Sequence, residues 1–281
     1  MKILLTGRTG QVGWDLARLL PELGELRATD RGELDMADAD SIRRVVRETR
    51  PALIVNAAAY TAVDKAESEP ELAMRINGEA PGVLAEEAKR LGALFVHYST
   101  DYVFDGEKAG AYVETDAPNP VSAYGRSKLT GERAVAASGC RHFVFRTSWV
   151  YAPRGRNFML TILKVARERS ELNVVDDQFG APTSSAAIAE ATMRAIGKGG
   201  GDGLYHMSAG GRTSWHGFAQ AIVKSAGLGT PVRAIPTADY PTPARRPRNS
   251  MLDNAKLARD FGIALPDWRE GLREVLPQAL R

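Results

Sequence analysis

"KILLTGRTGQVGWDL", residues 2–16, decides the fold class of this chain of 281 residues. Residues 2–6 form a short apolar run, and Gly7, Gly10 and Gly13 follow it directly. Apolar residues with helical spacing come next. A strand, a glycine-rich turn and a helix in this order are typical of the first unit of a dinucleotide-binding fold. The sequence therefore predicts an α/β fold with a Rossmann-type, doubly wound parallel sheet.

The same alternation continues through the first two thirds of the chain. Further apolar runs lie at 25–29, 52–57, 93–98 and 142–147, and helical spacing recurs at 38–49, 71–91 and 123–137. Apolar strands of this kind favour a sheet that is covered on both faces. After about residue 150 the loops lengthen and prolines cluster, which indicates a smaller C-terminal substrate-binding lobe. We expect a dinucleotide-binding domain of residues 1–150 plus about 181–229, and a lobe of about 151–180 and 230–281.

Composition excludes several classes of protein. Charged residues make up 25% of the chain and the net charge is +3, which suits a small anionic ligand better than nucleic acid. No apolar stretch is long enough to span a membrane, and no signal peptide is visible. The single cysteine, Cys140, fits a reducing compartment, so a cytoplasmic location is expected. The four histidines show no zinc-ligand spacing, so we expect no metal ligands.

Each glycine of the first turn has a predicted role in binding a dinucleotide. Gly7 permits the tight turn, Gly10 lets the backbone approach a pyrophosphate, and Gly13 lets the helix pack against the sheet. The helix N-terminus at Gln11 and Val12 offers free N–H groups to the phosphates. A glycine turn without a ligand is the alternative.

The choice of cofactor stays open. Asp30 ends the second strand, where an acidic residue would hold the adenosine ribose of NAD. Arg31 follows and suits the 2′-phosphate of NADP. We expect NADPH, with NADH possible. The predicted cofactor set also contains Asp35 and Met36, which follow the second strand. It further contains Ala57, Ala58, Ala59 and Thr61, because small side chains after the third strand let a flat ring approach the backbone.

Two further motifs indicate carbonyl chemistry. "FVHYSTDYVFDG", residues 95–106, places Thr100 at a strand end, where its hydroxyl can donate to a carbonyl oxygen. Capping of the next turn is the alternative. "YGRSK" places Tyr124 and Lys128 on one helix face. An ammonium beside a phenol lowers its pKa and makes it a usable acid or base near neutral pH.

These motifs together resemble the extended short-chain dehydrogenases/reductases that act on nucleotide sugars. "GRTGQVGWDL", "HYSTDYVFDG", "YGRSKLTGE", "FRTSWVYA", "DQFGAPT" and "YPTPARRPRNS" are similar to the dTDP-4-dehydrorhamnose reductase family over nearly the whole chain. The resemblance implies hydride transfer from a reduced nicotinamide to C4 of dTDP-4-dehydro-L-rhamnose. The product would be dTDP-L-rhamnose, in the last step of its biosynthesis.

The resemblance also implies roles for individual residues. Tyr124 would protonate the new alkoxide, Thr100 would polarise the carbonyl, and Lys128 would lower the pKa of Tyr124 and hold the nicotinamide ribose. The expected substrate-binding set adds Asp101, Trp149, Asn157, Arg245 and Arg246. The two arginines, with Arg248, form a candidate diphosphate clamp, because guanidinium forks suit phosphate oxygens. A solvated basic loop is the alternative for the arginines, and a core aromatic for Trp149.

The sequence also bears on whether a divalent metal bridges two subunits. Some members of the family hold a divalent metal, such as Mg²⁺, between acidic residues at a dimer interface. Asp15 matches one such acid, but "SSAAIA" at 184–189 is neutral where a second is expected. This departure argues against a metal-bridged dimer, and we expect a monomer or weak homodimer.

Two other functions compete with the reductase. One is a non-catalytic, nucleotide-binding regulatory subunit of the methionine adenosyltransferase type. The presence of Thr100, Tyr124 and Lys128 argues against it. The other is an epimerase or dehydratase on another nucleotide sugar. A dehydratase usually needs a further acid beside the threonine, and here Tyr102 follows Asp101.

Overall fold

The computed structural model describes all 281 residues and alternates strands with helices along the chain. The strands are β1 (Lys2–Thr6), β2 (Glu25–Thr29), β3 (Leu53–Asn56), β4 (Leu94–Thr100), β5 (His142–Thr147), β6 (Val150–Tyr151), β7 (Leu172–Val175), β8 (Phe179–Gly180), β9 (Thr183–Ser184), β10 (Gly203–His206), β11 (Thr213–Ser214) and β12 (Val232–Ile235). The helices are α1 (Gln11–Leu19), α2 (Ala39–Thr49), α3 (Val63–Ala66), α4 (Pro70–Met74), α5 (Ala80–Leu91), α6 (Ala123–Ser138), α7 (Phe158–Glu168), α8 (Ser185–Lys198), α9 (Trp215–Ser225), α10 (Ala255–Phe261) and α11 (Trp268–Ala279). None of the helices combines the length and apolar character needed to cross a membrane.

Six parallel strands form the central sheet in the order β10-β5-β4-β3-β1-β2. The chain therefore moves outward from β1 in one direction and then returns past it to continue in the other. The order reverses between β1 and β3, and ligands of such sheets bind outside the carboxyl ends of the strands at this point. The predicted Rossmann-type fold is confirmed.

Apolar residues cover both faces of the sheet. Leu5, Val96 and Phe145 belong to one buried cluster, whereas Ile54 and Phe95 belong to a second cluster on the opposite face. Successive side chains of a strand point to opposite faces, so an uninterrupted apolar strand supplies both clusters. Packing on both faces holds the strands in position, and the site residues lie at the carboxyl ends of these strands.

Helix α6 carries the YxxxK pair and begins and ends at defined residues. The Ser122 hydroxyl accepts a hydrogen bond from the N–H of Gly125 at 3.1 Å, as an N-cap does. The helix stops at Gly139, whose φ of 67° is the left-handed conformation that glycine adopts readily. Tyr124 and Lys128 are therefore held on the first two turns of a rigid element, and both are buried.

The helix predicted at 71–91 contains a π-helical turn, Arg75–Glu79, between α4 and α5. Within it, the Asn77 side chain accepts from the N–H of Tyr60 at 2.8 Å and donates to the carbonyl of Tyr60 at 3.0 Å. The same amide donates to the Ser127 hydroxyl at 3.0 Å. The π-helical turn therefore connects the loop after β3 to helix α6. Helical spacing in the sequence does not reveal these tertiary contacts.

A separate apolar cluster forms the core of the second lobe. It joins Leu163 of α7, Phe218 of α9 and Trp268 of α11, whereas Phe261 of α10 packs with the sheet. The predicted boundaries placed α9 with the sheet and α10 with the lobe. Because buried contacts define a domain core, we propose that α9 belongs to the lobe and α10 to the dinucleotide-binding domain.

Candidate active site

A cleft of about 770 Å³ lies along the carboxyl edge of the sheet and continues under the lobe. The predicted site residues that line it are Gly7, Gly10, Gln11, Val12, Asp35, Met36, Ala57, Ala58, Ala59, Thr61, Thr100, Asp101, Tyr124, Lys128, Trp149, Asn157 and Arg246. Gly13, Asp30 and Arg245 do not line it. The glycine turn and the residues predicted to act on a carbonyl thus share one continuous cleft.

The glycine turn fits a dinucleotide. Gly7 has a φ of 72°, and a Cβ there would lie 2.7 Å from the Ala58 backbone. A Cβ on Gly13 would lie 2.1 Å from the Gly7 carbonyl oxygen, so the start of α1 packs directly on the turn. No side chain caps the first turn of α1 after Gly10. Its N–H groups are therefore free to receive phosphate oxygens, and the residues present suit such a group.

The end of β2 differs from the predicted ribose site. The Asp30 carboxylate accepts from Arg8 at 2.6 Å and from the N–H of Gly32 at 2.9 Å, and these bonds lower the pKa of Asp30. Its ion pair with Arg8 holds this carboxylate outside the cleft lining. Arg31, not Asp30, lines the cleft at this end. A cationic side chain therefore faces the place where an acidic one was expected.

Thr100 and Asp101 form a hydrogen-bonded pair where β4 ends. The Thr100 hydroxyl donates to Asp101 Oδ1 at 3.0 Å and accepts from the N–H of Tyr102 at 3.1 Å. Thr100 thus caps the following turn, as the alternative interpretation predicted, and also lines the cleft. Asp101 is 2% exposed and its Oδ2 has no partner. Burial raises the pKa of Asp101 to about 6.

Tyr124 and Lys128 do not pair as expected. Burial, followed by the charge of Asp101, raises the pKa of Tyr124, while the nearby Thr100 hydroxyl acts in the opposite direction. Lys128 Nζ donates to the Tyr98 carbonyl at 2.6 Å, and burial lowers the pKa of Lys128 to about 8. Desolvation of the phenol thus outweighs any lowering of the Tyr124 pKa by Lys128, and the lowering expected from the resemblance stays a prediction.

All three arginines of the predicted diphosphate clamp, Arg245, Arg246 and Arg248, line a groove next to the cleft, and Arg246 alone lines the cleft as well. Arg246 lines the cleft, donating to the Tyr102 hydroxyl at 3.2 Å and to Asp64 Oδ2 at 2.8 Å. Arg245 is exposed, lies 3.4 Å from a Glu107 oxygen and lines a neighbouring groove with Arg248. Only Arg246 is therefore placed beside the residues of the YxxxK helix.

Trp149 lies in the cleft in an unusual backbone conformation. Its φ is 49°, and its indole stacks on that of Trp215, with ring centroids 3.5 Å apart and planes 6° apart. Gly180 lies against the same indole, where a Cβ would come within 2.5 Å of it. Trp215 lines the cleft too, and the sequence analysis missed it. Its place after the N-cap Ser214 could have located it at a helix start, but no spacing links it to Trp149.

Asn157 connects the lobe to the glycine turn. Its Nδ2 donates to Gln11 Oε1 at 2.8 Å, and its Oδ1 accepts from the N–H of Leu160 as the N-cap of α7. Further bonds from Nδ2 reach the carbonyls of Ala152 and Arg154. The amide is thus fully used within the protein, which suits a residue that positions the cleft walls.

Asp15 has protein partners on both oxygens. Oδ1 lies 3.4 Å from Arg154 Nη2, and Oδ2 accepts from the Ser185 hydroxyl at 2.5 Å. No group of three or more histidine, cysteine or acidic residues is arranged to hold a metal ion. The acid that the family resemblance assigned to a metal is here part of an ion pair.

Comparison with known proteins shows the family to which this chain belongs. The family model described as "RmlD substrate binding domain" matches residues 1–281. A dTDP-4-dehydrorhamnose reductase of Burkholderia thailandensis is 53% identical, with 96% of each chain covered. That of Escherichia coli is 47% identical over 98% of this chain and 97% of the relative. The chain belongs to the dTDP-4-dehydrorhamnose reductase family.

A solved structure of the family agrees along the whole chain. The crystal structure of dTDP-4-dehydrorhamnose reductase from Bacillus anthracis in complex with NADP has a TM-score of 0.95 and 35% identity, and the match covers 99% of this chain and 100% of that one. Membership of the dTDP-4-dehydrorhamnose reductase family confirms the predicted resemblance and the oxidoreductase class.

Proposed function

We propose that this protein reduces the C4 carbonyl of dTDP-4-dehydro-L-rhamnose to give dTDP-L-rhamnose. The observation that carries the proposal is the position of Thr100, Tyr124 and Lys128 in the same cleft as the glycine turn. Family membership supports the substrate class, a nucleotide sugar. The regulatory-subunit hypothesis is disfavoured, because it gives no reason for these three side chains to meet.

A nicotinamide dinucleotide, when bound, supplies the hydride. Gly7, Gly10 and the free N–H groups of Gln11 and Val12 would hold its pyrophosphate. We propose a preference for NADPH over NADH, because Arg31 lines the cleft while Asp30 is neutralised by Arg8. Small side chains at 57–59 leave room for the ring system.

Proton transfer falls to Tyr124. A phenol is protonated at neutral pH, as the general acid of a reduction must be, and Tyr124 lines the cleft where the substrate would bind. The Tyr124 hydroxyl gives its proton to the C4 oxygen as that oxygen gains negative charge. Thr100 can donate a second hydrogen bond to the same oxygen by turning its single hydroxyl proton away from Asp101 Oδ1. The result is a C4 hydroxyl and a phenolate at Tyr124.

Lys128 follows one helical turn after Tyr124 and stabilises that phenolate. It is 2% exposed, so its ammonium is screened little by water. Stabilising the phenolate lowers the pKa of Tyr124, so we propose that the charge of Lys128 opposes the rise that burial causes. We propose that Lys128 also holds the nicotinamide ribose, as expected from the resemblance.

The substrate contacts follow from the cleft lining. We propose that Asp101 and Trp149 contact the sugar and that Arg246 binds the diphosphate. Arg245 would act from the neighbouring groove, and Asn157 would position the wall. We further propose a monomer or weak homodimer that is not bridged by Mg²⁺, since Arg154 and Ser185 already engage Asp15.

NADPH and NADH oxidation with dTDP-4-dehydrorhamnose tests the proposal. Tyr124→Phe should lose at least about 100-fold in kcat while NADPH binding is retained, because general acid catalysis typically contributes this much. Tyr205→Phe, at a tyrosine of β10 that lines neither the cleft nor the neighbouring groove, is the matched control. Failure of the wild-type protein to turn over despite NADPH binding would refute the reductase and favour another nucleotide sugar or a regulatory subunit.

A further inference from the structure

A row of buried polar side chains runs beneath the cleft from β1 to helix α6. The Thr6 hydroxyl donates to Asn56 Oδ1 at 2.6 Å, and Asn56 Nδ2 lies 3.1 Å from His97 Nδ1. His97 Nε2 in turn lies 3.5 Å from Lys128 Nζ. His97 is fully buried on a strand that otherwise supplies the apolar core. None of the roles assigned above uses this imidazole.

The hydrogen bonds around Asn56 determine which nitrogen of His97 carries the proton. Asn56 Oδ1 receives the Thr6 hydroxyl and also lies 3.3 Å from the N–H of Ala58. Two donors on that side identify it as the oxygen, so Nδ2 faces His97 and donates. His97 Nδ1 must then accept, and the ring proton lies on Nε2. The remaining N–H of the imidazole therefore points towards Lys128.

An N–H beside an ammonium group is unfavourable, whereas the same N–H can donate to a neutral amine. Burial and the positive charge of Lys128 lower the pKa of His97 well below its usual value, so the imidazole stays neutral. Lys128 already donates to the Tyr98 carbonyl at 2.6 Å. Lys128 Nζ thus has the Tyr98 carbonyl as an acceptor, and the Nε2–H of His97 faces it as a donor.

Of the charged groups around Lys128, Glu132 is the one that favours its charged form. The charged and titratable neighbours from its own helix and from the elements packed on it are Tyr124, Glu132, His97, Asp101, Tyr102 and Arg146. Glu132 raises the pKa of Lys128 from four residues along the helix, but its carboxylate is bound by Arg146, at 2.7 Å from Nη2. His97 is the neighbour that meets Nζ itself.

We propose that His97 is a positioning residue for the reaction, holding Lys128 poised between ammonium and amine by turning a fixed Nε2–H towards it. A lysine held in this balance stabilises the Tyr124 phenolate and can return a proton to it, and solvent in the cleft then supplies a proton to the lysine amine. This inference rests on the proposed function of Lys128. The hydrogen-bonded row ends at buried Thr6, so it does not conduct protons to solvent. It acts on the equilibrium between the ammonium and amine forms of Lys128.

The ring proton can be located without any variant. In protein labelled with ¹⁵N-histidine, long-range ¹H–¹⁵N spectra of His97 should show the neutral tautomer protonated at Nε2. A proton on Nδ1, or an imidazolium at neutral pH, would overturn the inference. This measurement decides it even where a variant fails to fold.

The effect on Lys128 is measured by titrating its ¹³Cε resonance, assigned with Lys128→Met. His97→Asn keeps an acceptor for Asn56 and removes the N–H that faces Lys128. The midpoint of the Lys128 titration should rise by about half a pH unit or more, and the basic limb of kcat/KM should move the same way. An unchanged or lower midpoint would overturn the inference.

The matched control is His142→Asn, at the far end of β5, which should leave both readouts unchanged. The inference and the proposed function can fail separately. A wild-type protein with the expected tautomer but no reductase turnover would contradict the function alone. Full turnover with the other tautomer would contradict only the role of His97.

Discussion

The indoles of Trp149 and Trp215 stack face to face across the cleft, with centroids 3.5 Å apart. Trp149 follows β5 in the dinucleotide-binding domain, whereas Trp215 opens α9 of the lobe. The pair therefore joins the two cores at the substrate end of the cleft. Phe158 lies against Trp215, with ring centroids 4.6 Å apart, and supports it from α7.

This stack predicts that Trp215 affects substrate binding without touching the cofactor. In Trp215→Leu, Trp149 loses its support, and we expect KM for the sugar nucleotide to rise by about 3- to 10-fold, the worth of an aromatic pair. The dissociation constant for NADPH should not change. Trp268→Phe, at a tryptophan of the lobe cluster that does not line the cleft, is the control. Equal KM values in the Trp215 variant and the wild type would show that the stack is structural only.

Arg31 provides the second prediction. Its side chain lines the cofactor end of the cleft, so Arg31→Ala should remove a charge-assisted contact to a 2′-phosphate. The loss of about 1.5–3 kcal/mol corresponds to roughly a 10- to 100-fold weaker NADPH complex. Binding of NADH should hardly change. Both constants follow from titrations of cofactor fluorescence.

The control for that experiment is Arg27→Ala, on the preceding strand β2, where the guanidinium pairs with Glu48 at the surface. A parallel loss of NADH and NADPH affinity in Arg31→Ala would mean that Arg31 shapes the loop and does not select the phosphate. Unchanged NADPH affinity would contradict the proposed cofactor preference.

The buried pair Arg146–Glu132 provides the third prediction. Both residues are less than a tenth exposed, and two nitrogens of Arg146 donate to the carboxylate. Arg146→Met leaves Glu132 buried and unpaired, so the free energy of unfolding should fall by about 3–5 kcal/mol. Adding Glu132→Leu removes the stranded charge and should recover most of the loss. Urea unfolding of the single and double variants measures both effects.

Additive losses in the double variant would show that each residue acts separately, through its packing or its other partners. Arg146 also lies over the Phe104 ring, at 4.9 Å from its centroid, and Glu132 accepts from the Ser99 hydroxyl. Methionine and leucine are chosen because they keep much of the buried volume.

The fold could be predicted because strand ends, glycine turns and helical spacing are local features. Gly13 is required by its contact with the Gly7 carbonyl in the same turn, so the spacing of these glycines was informative. The strand predicted at 142–147 has those bounds in the structure. Helix α6 could be placed by Ser122 and Gly139, its two caps.

Features that depend on distant contacts could not be predicted. Arg8 removes Asp30 from the cofactor cleft although the two lie 22 residues apart. Trp215 meets Trp149 only because the lobe closes over β5. The raised pKa of Tyr124 arises from burial beneath elements that the YxxxK pattern does not describe. In each case, a tertiary contact outweighed the local pattern.

Asp101 provides the fourth prediction, on the dependence of stability on pH. Its pKa is raised from 3.8 to about 6 in the folded protein, chiefly by burial. The folded state therefore binds this proton more tightly than the unfolded state does. Ionisation of Asp101 disfavours folding progressively as pH rises from about 4, and the full penalty is present above about pH 6.

Asp101→Asn removes that ionisation while keeping an acceptor for the Thr100 hydroxyl. The variant should gain stability over the wild type by about 2–3 kcal/mol more at pH 8 than at pH 4, since one pKa unit is worth about 1.4 kcal/mol. All other titrating groups are shared and cancel in the comparison. Denaturant unfolding of both proteins at the two pH values tests this. If the stability difference does not vary with pH, the carboxyl does not titrate in this range.

The same variant separates stability from activity. A buried carboxylate whose Oδ2 lacks a partner destabilises the fold, so a structural role alone does not explain its presence. The proposed contact with the sugar gives Asp101 a further role, because this residue lines the cleft. Asp101→Asn should therefore be more stable at pH 8 yet show a lower kcat/KM, with NADPH binding retained. A stabilised variant with full activity would contradict the proposed substrate contact.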